Sequence, residues 1–184
     1  MSSRNTEKIQ EILMFWFEEV TSKQKFTKDL EFDALVSEKF KDSYWEIVRD
    51  ETKGWRETPE GRLAEIIVLD QFARNMFRDD KQSFAGDELA LELAQEALEA
   101  GDDKKVSQER RMFFYKPYMH SESKEVHTEA LKIFTEHGDE GNLKYEIKHK
   151  SIIDQFGRYP HRNELLGRES TSEELEFLKT NTGF

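Results

Sequence analysis

Breakers of regular structure are scarce in this chain. Its 184 residues contain three prolines, Pro59, Pro117 and Pro160, and long stretches lack glycine as well. No segment alternates apolar and polar residues with period two, whereas apolar residues recur at three- and four-residue intervals, the pattern of an all-α protein. A helix is expected from Thr6 as N-cap, with Ile9, Leu13, Trp16 and Val20 along one stripe. A second runs from about Asp29 to Asp50. Thr58 followed by Pro59 opens a third, reaching about Phe77. The next spans Asp87 to Ala100, its Ala90, Ala94 and Ala97 suit close helix approach, and Gly101 is placed for a left-handed cap. Ser107 caps a short helix expected to stop before Pro117. Further helices are expected behind a Ser121 cap from about Glu122 to His137, and from Asn142 to Phe156. A short turn opens at Pro160 and stops at Gly167, and Thr171 with Glu174 has capping-box spacing. The expectation is a single domain over 1–184, core about 6–180, of about eight or nine helices joined by short links.

Hydrophobic residues make up only 36%, but fourteen Phe, three Trp and five Tyr compensate because each ring buries a large area. The net charge is −11, which argues against nucleic acid and anionic membranes as partners, since both need a basic footprint. There is no cysteine, so disulfides, thiolate metal ligands and thiol nucleophiles are excluded. The apolar run Ile12 to Phe17 is too short for a membrane span, is followed by Glu18 and Glu19, and lacks a small-residue cleavage site; a cytoplasmic protein is expected.

The Pro59–Phe77 helix is apolar nearly all round in its first half, so it should be central. Asp70 and Arg74 sit four residues apart within its apolar face. On a surface such a pair contributes a few tenths of a kcal/mol, but burial costs several kcal/mol per ion. The pair therefore either pins two helices together or faces a polar cavity. "IDQFGRYPHRN", from Ile153, repeats part of "LDQFARNMFRD", from Leu69, but Asp154 falls on a different helix face, so the likeness is convergent.

Within "FGRYPHRNELLGR", Phe156 to Arg168, a helix start at Pro160 puts His161 and Arg162 where the helix dipole disfavours cations. The compensation is either an anion shared with Arg158 or a carboxylate such as Asp70 or Glu122. His120, His149 and His161, with Glu122, contain the atoms of a metal site, but no spacing such as His-Glu-x-x-His supports one, and no metal is assigned. His120 or His149 with Glu122 is a candidate acid–base pair. His127 and His137 read as solvated. No phosphate loop, Gly-x-Ser-x-Gly elbow or dinucleotide fingerprint appears, and no cofactor is assigned.

"ILMFWF", "LDQFARNMFR", "SFAGDELALELA", "RMFFYKPYMHSE", "FGRYPHRNELLGR" and "STSEELEFL", in that order from about Ile9 to Leu178, resemble the bacterial domain-of-unknown-function family 924. The resemblance implies an all-α, tetratricopeptide-like right-handed α-α superhelix and no particular activity. Its motifs fall on Asp70, Gln71, Arg74 and Asn75, on His120, Ser121 and Glu122, and on Gly157, Arg158, Pro160, His161, Arg162 and Asn163. Lys116 departs from an expected apolar residue.

Three functions remain open. In a binding protein, Asp70, Arg74, Asn75, Arg158, His161, Arg162 and Asn163 would hold a small anionic ligand or acidic peptide, with Phe72 and Tyr159 as walls. In a metal-independent enzyme, His120, His149 and Glu122 would move protons on an anionic substrate. In the third, the cluster is a structural polar core. Binding is favoured because no catalytic motif is visible.

Overall fold

The computed structural model describes residues 2–181, Phe26 by its backbone alone; the ends of the expected 1–184 domain lie outside this range. No strand occurs among the described residues, and every regular element is helical. None of these helices is long and apolar enough to cross a membrane. The chain divides into two compact units, Met1–Arg78 with Gln82–Pro117, and Asp79–Lys81 with Tyr118–Phe184.

In the first unit, α1 (Ser3–Met14) is capped by Ser2, whose hydroxyl accepts from the Asn5 N–H. The expected cap, Thr6, lies inside the helix and donates its hydroxyl back to the Ser2 carbonyl. A π turn, Phe15–Glu19, ends this helix, and a Thr21–Gln24 capping box opens α2 (Ser22–Phe26). Asp29 caps α3 (Leu30–Val48), and Thr58 with Pro59 opens α4 (Pro59–Ile66), both as the local chemistry dictates. A π turn, Ile67–Phe72, then interrupts the helix before α5 (Ala73–Met76). A π turn takes an extra residue, so a uniform rotation of about 100° per residue misplaces the side chains beyond it. Next, α6 (Asp87–Glu99) buries Ala90, Ala94 and Ala97 and is followed by Gly101 at φ 67°, the left-handed cap expected there.

The two π turns deliver the aromatic core. Phe72 stacks on Phe40 at 4.6 Å between ring centroids and meets Phe15 and Trp16 edge-on at 5.8 and 5.5 Å. Each such pair adds about 0.5–1.5 kcal/mol beyond its area burial. Close backbone approach is set at Gly61, where an added Cβ would lie 1.9 Å from the Trp55 carbonyl oxygen.

Helix α7 (Gln108–His120) runs through Pro117 instead of stopping before it. The proline ring removes one donor and crowds the previous turn. Against that, Pro117, Tyr118 and Met119 are all buried, and their burial favours continuing the helix. In the second unit, α8 (Lys124–His137) is capped by Ser123, not Ser121, and Glu122 therefore precedes the helix. Asp139 caps α9 (Glu140–Phe156), which packs against α8 as a helical hairpin. Gly157, at φ 70°, reverses the chain toward Tyr159 and the 3₁₀ turn Pro160–Arg162. The expected Thr171–Glu174 capping box opens α10 (Ser172–Leu178). Ile152, Ile153 and Tyr159 form a small core covered by Phe156 and Phe177.

Candidate functional site

In the first unit, Asp70 is almost wholly buried, as its place on an apolar face requires. The Gln71 amide donates to its carboxylate at 2.6 Å, and the Arg74 guanidinium lies 3.3 Å away. Arg74 also donates to the Asp70 carbonyl, forks onto Asp87 at 2.9 and 3.1 Å, and covers the Phe84 ring. Asn75 donates to Asp33 at 2.8 Å, and Arg78 grips the same carboxylate through two N–H groups. The network ties α5 to α3 and α6. Asp33 does not stand out in the sequence, although its place beside Phe32 at the start of an apolar stripe is a signal.

In the second unit, side chains gather round Tyr159, which is fully buried. The His149 ring meets it edge-on at 5.7 Å, His161 lies tilted at 5.6 Å, and His127 lies at 6.3 Å. His120 is 6.4 Å from His149. The Arg162 guanidinium sits 4.7 Å above the Tyr159 ring and donates to the His120 carbonyl at 3.0 Å. Burial pushes the His149 imidazole down to about 3, with the neighbouring His120, His127 and His161 acting in the same direction. Its Nδ1 lies 2.7 Å from the Tyr145 carbonyl, an acceptor only, so Nδ1 carries the proton and Nε2 the lone pair.

Behind this cluster, His127 and Glu146 are both wholly buried, which corrects the solvated reading of His127. His127 Nε2 lies 2.9 Å from the Ser121 carbonyl, which can only accept, so this nitrogen is protonated. The Tyr159 hydroxyl donates to the Met119 carbonyl at 2.6 Å and presents its oxygen to the same Nε2 at 3.1 Å. One further proton lies between His127 Nδ1 and Glu146 Oε1, 2.8 Å apart. Burial raises the Glu146 carboxyl against the pull of His127, and Glu146 Oε2 has no hydrogen-bond partner among the described residues. Both features fit a shared proton better than a fully ionised carboxylate. Spacing could have revealed this pair. His127, Ala130 and Phe134 form one apolar stripe, and Glu146, His149 and Ile153 another.

The remaining candidates build the frame. Burial alone would raise the Glu122 carboxyl, but a bidentate Arg168 and the Tyr159 N–H hold it below its ordinary value. A carboxylate held ionised in this way suits positioning of the Tyr159 loop better than proton donation. Arg158 forks onto Glu174 at 2.6 and 2.8 Å and, as the main cause, holds that carboxyl down to about 2; burial opposes it. Asn163 donates to Ser170 and accepts from Arg168. Thus His149, His161 and Arg162 share one aromatic centre, with His120 beside His149, whereas Arg158, Asn163 and Glu122 hold the loops that carry it. Among the described residues, no group of three or more His, Asp or Glu side chains is arranged to hold a metal ion.

No curated protein matches the chain. A solved structure of a protein of unknown function from Agrobacterium tumefaciens is 36% identical, with a TM-score of 0.91, over 96% of this chain and 99% of that one. The model of a family described as bacterial protein of unknown function, DUF924, matches residues 12–182. With nearly its whole length matched in sequence and fold, the chain belongs to the DUF924 family.

Proposed function

We propose that this protein binds a small anionic ligand through Arg162, His161 and His120. One observation carries the reading: a guanidinium and the imidazoles of three histidines surround a single tyrosine ring, with His120 beside His149, in a chain of net charge −11. Stacking on Tyr159 and the bond to the His120 carbonyl pre-orient Arg162, so little side-chain entropy remains to be lost on binding. His161 and His120 are partly exposed, so an anion can reach their ring nitrogens as donors. Arg74 and Arg158, already forked onto Asp87 and Glu174, serve as scaffold in this reading. The tetratricopeptide-like superhelix expected of the family is its scaffold, and the cytoplasm its compartment. The enzyme alternative is weaker at His149, because a base with a pKa near 3 is a poor proton acceptor at neutral pH.

Calorimetric and thermal-shift titrations with inorganic phosphate and citrate test the reading. The expected result is stabilisation that grows with anion concentration and reaches about 2.7 kcal/mol at 100 times the dissociation constant. Arg162→Gln and His161→Gln should abolish it, and Arg49→Gln, at an exposed surface pair, should leave it intact. Retention of the full response in folded Arg162→Gln and His161→Gln, or no response to any anion, would refute the assignment.

A further inference from the structure

Arginines of the first unit mostly meet carboxylates: Arg49, Arg56, Arg62, Arg74 and Arg78 each pair with an Asp or Glu. Arg110 and Lys25 do not; among the described residues neither has a carboxylate within ion-pair distance. Both lie against one ring instead. The Arg110 guanidinium is 5.2 Å, and the Lys25 ammonium 5.4 Å, from the centre of Phe17. Lys25 also lies 5.3 Å from the Trp16 ring, and Phe17 meets Phe113 edge-on at 5.3 Å. Lys116 covers Phe113 at 5.4 Å. Three cations thus rest on a contiguous set of rings in a chain with 39 acidic against 28 basic residues. Trp16 adds a buried indole N–H with no acceptor among the described residues.

We propose that Lys25 and Arg110, flanking the partly exposed ring of Phe17, form a second binding site, for a small organic anion whose charged group bridges the two cations and whose apolar body lies against Phe17. Ring contacts hold both cations in place, so an anion meets a pre-formed pair of donors. Two like charges on one ring repel, and a shared anion relieves that repulsion. Burial also pushes the Lys25 ammonium down, with Glu109 opposing, so a bound anion would favour the charged form that burial penalises. The site lies wholly in the first unit and does not depend on the cluster around Tyr159.

Competitive acetylation of the full chain, read by mass spectrometry at each lysine, tests it with phenyl phosphate as probe. A probe held at ten times its dissociation constant fills about nine sites in ten, so acetylation of Lys25 should slow about tenfold, with exposed Lys144 unaffected. Arg110→Gln should remove the protection, and Arg162→Gln should leave it intact. Inorganic phosphate should protect less, having no apolar body. Equal protection by inorganic phosphate would overturn the organic-anion assignment. No protection of Lys25, or unchanged protection in Arg110→Gln, would overturn the site.

Discussion

Mild acid should destabilise this protein through one buried imidazole. In the folded chain His149 is neutral and its pKa is near 3; in the unfolded chain it takes its ordinary value of 6.5. Between those values the unfolded state binds a proton that the folded state refuses, so stability falls as the pH drops from about 6.5 toward 3. Above about pH 7.5 neither state binds the proton, and the effect vanishes. At about pH 5 the difference amounts to ~2 kcal/mol, since each pKa unit is worth about 1.4 kcal/mol and roughly 1.5 units lie between 6.5 and 5. His149→Gln keeps a donor that can reach the Tyr145 carbonyl and cannot ionise. Urea unfolding of both proteins at about pH 7.5 and 5 isolates the contribution, because Glu146, Glu122 and Glu174 are common to both. The wild-type midpoint should fall by roughly 1 M more than that of the variant, taking a slope of about 2 kcal/mol per molar. Equal losses in the two proteins, or a His149 resonance that titrates near pH 6 in the folded state, would refute the reasoning.

Further substitutions test the geometry. Glu146→Leu leaves His127 Nδ1 buried without its partner, and chemical denaturation should show a loss of about 1–3 kcal/mol. Glu146→Gln, whose amide N–H can donate to Nδ1 while Nε2–H stays on the Ser121 carbonyl, should lose much less. Gly157→Ala places a Cβ on a left-handed residue with φ 70°, in open space; its cost should be about 1–2 kcal/mol from backbone strain, measured the same way, and a neutral result would show that the turn adapts.

Caps and breakers were the most legible part of the fold. Asp29, Thr58 and Thr171 each offer an oxygen to N–H groups two or three residues ahead, and Gly101 adopts positive φ; none of this needs a partner from elsewhere in the chain. The buried Asp70 was legible for the same reason, because its neighbours at helical spacing are apolar. Pro117 reads locally as a stop, but its penalty is outweighed by burial of Tyr118 and Met119, which no local rule contains. The π turns at Phe15–Glu19 and Ile67–Phe72 were also hidden, because an extra residue in a turn is stabilised by the packing it permits, here that of Phe15, Trp16 and Phe72.

Sequence alone therefore determined the helical class, the family, most helix starts and the net charge, all of which depend on residue type and short-range spacing. Tertiary structure alone decided which polar groups meet. It buried His127 against Glu146, turned Glu122 onto Arg168 instead of a histidine, and gathered His149, His161 and Arg162 round Tyr159. Such groupings join residues tens of positions apart, and their energies depend on burial and on distances of a few ångströms that no single segment specifies.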